Sequence, residues 1–173
     1  MSRGVVGHRT MSLMSSPTEL VAIELTDDER DFVEQTLEQW SLSAASTPFP
    51  FQVLGLSTWE EFGALTYRLE RAAVDGAALT DLDWARLLFL TEITFASALI
   101  GSGTRFSAMT RFSDAQGINV LRGLQRKISN HHRATLLFPD GGRTRTAEEI
   151  EELQQWGERV RRQQEGRTYP PGM

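Results

Sequence analysis

The sequence predicts an all-α, single-domain bundle of about five helices around a buried central helix at about residues 81–100. The first observation behind this is the stretch from Thr80 to Gly103. Trp84, Leu87, Leu88, Phe89, Leu90, Ile93, Phe95, Ala96, Leu99 and Ile100 there cover nearly every side of a helix, and Glu92 is the single ionisable residue between Leu87 and Ile100. A helix that is apolar all round is buried rather than amphipathic. Its apolar run is 14 residues long, short of the roughly 20 that cross a bilayer. The second observation is a set of five sites where Ser or Thr is followed three residues later by an acid or amide: Thr26/Glu29, Ser57/Glu60, Thr80/Asp83, Ser113/Gln116 and Thr146/Glu149. Such pairs satisfy the free N–H groups that open a helix, and each precedes a helical apolar pattern. The third is composition. With 40% hydrophobic and 24% charged residues, 173 residues can bury a core as one domain.

The elements follow in order. Residues 1–19 have no periodicity and no apolar run of signal-peptide length, and are expected to be disordered, with Met11 and Met14 as alternative starts. The helical domain is expected over 20–165. Its first helix runs about Asp27–Ala44, with Phe32, Val33, Leu37 and Trp40 inward and an acidic outer face. Pro48 and Pro50 then force an extended linker. In that linker Phe49 and Phe51 either plug the end of the core or form an exposed aromatic dock for a partner. A second helix, about Thr58–Asp75, places Trp59, Phe62, Leu65, Leu69 and Ala73 on one stripe and stops at Gly76. The short link to Leu79 makes it an antiparallel neighbour of the central helix. The central helix stops at Gly101-Ser102-Gly103, and one helical turn fits within Thr104–Arg111. A fourth helix, about Asp114–His131, faces Ile118, Leu121, Leu124, Gln125 and Ile128 inward. Leu136–Gly142 reads as an extended run entering a turn. A fifth helix, about Ala147–Gln164, puts Ile150, Leu153, Trp156 and Val160 inward, with glutamates first and arginines last, the order the helix dipole favours. Residues 166–173 are expected to be a flexible tail.

Candidate sites are few. Glu92, isolated on an apolar helix, is expected to be buried and paired with an arginine such as Arg68 or Arg122. Its alternatives are a ligand-binding role or a place at a solvent groove. Asp83 and Arg86, three apart, can pair on one face. With Trp84 and Glu92 they would form the polar lining of a pocket. Residues 116–145 hold six basic residues against Asp140, net +5, while residues 19–38 hold eight acids against Arg30, net -7. A basic face of Arg122, Arg126, Lys127 and Arg133 is the candidate polyanion site.

Exclusions narrow the function. The chain has no cysteine, which removes disulfides and thiolate chemistry and suits a reducing, cytoplasmic setting. It lacks Glu-x-x-His, a phosphate-binding glycine loop and a nucleophile elbow, so no cofactor, metal or catalytic residue is expected. An overall charge of -5 and the long helix three–four connection disfavour nucleic acid, and no membrane association is expected. The expected function is a non-catalytic interaction or regulatory module with an unidentified protein partner. The alternatives are a small-molecule binder or enzyme using the Glu92 pocket, and phosphate or nucleic-acid binding through the basic face.

Overall fold

The computed structural model describes residues 19–139, 141–143 and 145–165 of the chain. In order these form β1 (Leu20–Val21), α1 (Asp27–Glu38), a 3-10 turn (Phe51–Leu54), α2 (Trp59–Asp75), β2 (Leu79–Thr80), α3 (Asp81–Ala96), a 3-10 turn (Gly103–Arg105), α4 (Phe106–Met109), α5 (Asp114–Ile128), α6 (His131–Leu137) and α7 (Ala147–Glu165). The fold is all-α, with one two-residue antiparallel pairing of β1 on β2, Leu20 opposite Thr80, that the sequence pattern did not announce. Residues 1–18 and 166–173, expected to be disordered and flexible, lie outside the described residues. The chain divides after Pro139 into two compact units.

Helix starts follow the local capping chemistry. Thr26 accepts from the Glu29 N–H while the Glu29 carboxylate accepts from the Thr26 N–H, closing a reciprocal cap on α1. Ser113 and Gln116 do the same for α5. The α2 cap is one residue later than expected. Thr58, not Ser57, is the cap, and Glu61, not Glu60, closes it. Thr80 caps α3 through its hydroxyl, but the Asp83 carboxylate turns to an arginine instead of completing the box. Asn130 caps α6 through the Arg133 N–H.

Helix ends were less legible. α1 stops at Glu38, six residues early, and residues 39–46 continue as turns. Ser41 donates to the Glu38 carbonyl, and Ser43 to the Gln39 side chain. Such local bonding by serine competes with helix propagation. α3 ends at Ala96 rather than about residue 100, because the chain folds back and the Ser102 N–H bonds the Thr94 carbonyl. That return passes so close that a Cβ at Gly101 would sit 2.2 Å from the Ile93 carbonyl oxygen. Leu99, expected in the core, is consequently 87% exposed. The extended reading of Leu136–Gly142 is also corrected: Leu136 and Leu137 belong to α6, and Asp140 is not among the described residues.

α3 is central to the first unit, packing against α1, α2, α5 and α6. Its Trp84, Leu87 and Leu90 are fully buried, and the Trp84 indole N–H donates to the Val21 carbonyl at 2.8 Å. Two aromatic clusters fill the core. Phe32 meets Phe95, Phe106 and Phe112 at 5.2–5.6 Å between ring centres. Trp40 meets Phe49 at 4.8 Å and Phe62 at 5.3 Å. Two inward assignments shift. Trp59 is 37% exposed at the end of the α2 stripe, and Ile118 is exposed because Gly117 takes the inner position against the Phe95 ring.

Candidate functional site

The polar residues of α3 separate into two groups that do not meet in one pocket. Near its start, Asp83 takes a two-pronged bond from Arg68 at 2.9 and 3.0 Å, and Arg86 approaches the same carboxylate at 3.4 Å while donating to the Leu54 carbonyl at 2.7 Å. The expected Asp83–Arg86 pair is therefore present within α3, and the Arg68 bond to the same carboxylate ties α2 to it. Burial pushes the Asp83 carboxyl up. The Arg68 hydrogen bonds and charge, helped by Arg86 and Thr80, outweigh it and hold the group below the usual aspartate range. A lowered folded value means the stabilising contribution is full above the unfolded value of about 4 and is lost as pH falls through the lower folded one. The stability gap between wild type and Asp83→Asn, measured by urea unfolding, is expected to be open at neutral pH and to shrink in acid. A gap that widens in acid would contradict this.

Glu92 is neither buried nor paired with an arginine among the described residues, which corrects the expectation of a buried ion pair. It is half-buried and accepts from the Gln125 amide at 2.6 Å. Arg68 is committed to Asp83, and Arg122 donates to the other end of the Gln125 amide at 2.6 Å. Gln125 thus stands between the two charges. Glu92 lines an apolar cleft of about 210 Å³ with Leu88, Phe89, Ile128, Leu137 and Phe138, and also a polar groove with Arg122 and Arg126. Asp83, Trp84 and Arg86 line neither, so the proposed shared pocket does not form.

The basic face is also dismantled. Arg133 is 6% exposed, binds Asp81 through Nε at 2.8 Å and Nη2 at 2.7 Å, and donates to the Ile128 carbonyl. Lys127 donates to the Glu24 carbonyl and to the Glu29 carboxylate that caps α1. Arg122 and Arg126 remain at the surface, sharing a groove with a carboxylate. This arrangement disfavours a polyanion. The acidic face of α1 is partly answered in turn by Arg111, which pairs with Asp28 and Asp31.

Phe49 is 5% exposed in the Trp40 cluster, which removes it from any docking surface, and Phe51 is half-buried against Trp59 and Phe62. Beside this cluster lies a cleft the sequence reading missed. It measures about 270 Å³ between α1 and α2, and its lining includes Trp40, Trp59, Gly63, Tyr67 and Glu70. The signal was present as a stripe: positions 59, 63, 67 and 70 lie on one helical face. Glycine inside a helix costs about 1 kcal/mol relative to alanine. A Cβ at Gly63 would meet nothing within 4 Å, so packing does not require the residue. The Glu70 carboxyl is pushed up, first by burial and then by the charges of Glu34 and Glu38.

In the second unit α7 opens with a reciprocal cap between Thr146 and Glu149, and Arg143 pairs with Glu149 at 2.8 Å. The Thr146 N–H and then Arg143 hold the Glu149 carboxyl below its usual range. Ile150, Leu153 and Trp156, expected to face a core, are instead exposed, Trp156 by 59%. The described residues of that unit contain no other element to cover them.

Among the described residues, no helix is long and apolar enough to cross a membrane, and no cluster of His, Asp and Glu could hold a metal ion. Comparison with protein-family models, curated proteins and solved structures finds no match for the chain.

Proposed function

We propose that the chain is a non-catalytic interaction module of the cytoplasm that pairs with a second copy of itself through α7. The observation that carries this is the exposed stripe of Ile150, Leu153 and Trp156, continued by half-buried Val160, on a helix whose own unit gives it no cover. Apolar residues three and four apart form the seam of a helical pair. Charge selects the occupant and its direction. Glu148, Glu151 and Glu152 lie at the start of α7, and Arg159, Arg161 and Arg162 at its end. Antiparallel pairing brings each acidic end alongside the partner's arginine end. Parallel pairing would set like charges together. Alignment about residue 155 places Ile150 against Val160 of the partner subunit and Leu153 against Gly157 of the partner subunit.

The carboxylates of the first unit support a structural rather than catalytic role. Asp81 and Asp83 are neutralised by arginines, and Glu29 by Lys127. Light scattering across a concentration series tests the pairing. The wild type is expected to rise to the mass of two chains. Leu153→Glu, which sets a charge in the seam, is expected to weaken association by at least about 30-fold while leaving the helical signal of the first unit intact. A wild type that keeps the mass of one chain throughout would sink the proposal.

A further inference from the structure

The cleft between α1 and α2 has aromatic walls, a carboxylate and an opening held by a glycine. Trp40 is 1% exposed, lines the cleft, and its indole N–H has no acceptor among the described residues. Trp59 and Tyr67 are exposed on α2, and Glu70 follows Tyr67 by three residues on the same face. A buried donor without an acceptor is rare and destabilising. That N–H is closed off from solvent, so Trp40 serves the cleft as an apolar wall. Gly63 leaves this part of the α2 wall without a side chain, although an alanine Cβ there would meet nothing within 4 Å and would favour the helix. The faces of aromatic rings attract cations, most strongly indole. No basic side chain lines the cleft to compete for them.

We propose that this cleft binds a small organic cation, an ammonium group on a short body, held against the Trp59 and Tyr67 rings and neutralised by Glu70. A volume of about 270 Å³ limits the ligand to a small molecule. The local field favours a cation over a neutral ligand. Glu34 and Glu38 on α1 add negative charge near Glu70, which neighbouring Arg71, itself paired with Asp75 at 2.9 Å, only partly offsets. Bound charge would offset the repulsion that already disfavours the ionised Glu70. This site is independent of α7, so failure of either proposal leaves the other standing.

Titration calorimetry of the full chain with choline chloride tests it, with 3,3-dimethylbutan-1-ol as the uncharged probe of matching shape. Saturable choline binding is expected, at least about tenfold tighter than the alcohol, which is one step of about 1.4 kcal/mol. Glu70→Gln is expected to remove most of that preference. Gly63→Leu is expected to abolish binding while keeping the melting temperature of the wild type, which separates a blocked cleft from a lost fold. Equal binding of the two probes would overturn the proposal. So would binding that survives Gly63→Leu, or the absence of saturable binding by choline.

Discussion

Replacing Asp81 with alanine is expected to cost about 3–5 kcal/mol of folding stability, because it strands a buried guanidinium. The Arg133 and Asp81 side chains are 8% and 14% exposed and lie 2.7 Å apart. With Asp81 gone, Arg133 keeps the Ile128 carbonyl but loses its anion, and neighbouring His132 offers none. Arg133→Ala is expected to be similarly damaging, since it also frees the carbonyl and opens the wall between α3 and α6. The double change Asp81→Leu with Arg133→Met should recover much of the loss, because paired burial of charge adds little net stability over well-packed apolar groups. Urea unfolding at neutral pH measures all three. A single-mutant loss below about 1 kcal/mol would place the pair in the surface class, where ion pairs are worth little.

Phe32→Ala is expected to cost about 3–5 kcal/mol, the range for deleting a buried phenylalanine. Phe32 is fully buried and is the ring that Phe95, Phe106 and Phe112 share. It joins α1 to α3, α4 and the residue pair before α5, so its loss opens a cavity that no single element can collapse into. Edge-to-face contacts between rings are lost in addition to buried area. Leu99→Ala is the matched control. Exposed by 87%, Leu99 should change stability by no more than about 0.5 kcal/mol. Equal losses at the two positions would mean that the core is wrongly placed.

The helices were legible because two local signals coincided: an apolar stripe and an oxygen-bearing residue at its start. Thr26, Thr80, Ser113 and Thr146 each open a helix where the pattern put them. Helix ends depend on what the chain meets afterwards. α3 stops short because Ser102 returns to bond Thr94, a contact between residues whose approach no periodicity encodes. The burial of Arg133 was hidden for the same reason. In sequence it sits among basic residues and reads as a surface charge, and only the packing of α6 on α3 brings it to Asp81. Glu92 shows the converse. Its apolar neighbours implied burial, yet α3 ends soon after it and Gln125 meets it at a groove. The α1–α2 cleft was partly written in the spacing of Trp59, Gly63, Tyr67 and Glu70. Its other wall, from Trp40, comes from a different element and needed the fold.

Cross-linking within α7 tests the proposed self-pairing most directly. The chain has no cysteine, so each introduced thiol is unique. Ile150→Cys and Val160→Cys chains, mixed and mildly oxidised, are expected to join chiefly to one another, because antiparallel pairing sets these two positions face to face. Mass spectrometry distinguishes the mixed dimer from the two like-with-like dimers. A dominant 150–160 product is the expected result. Like-with-like products, or chains that remain single, would contradict it.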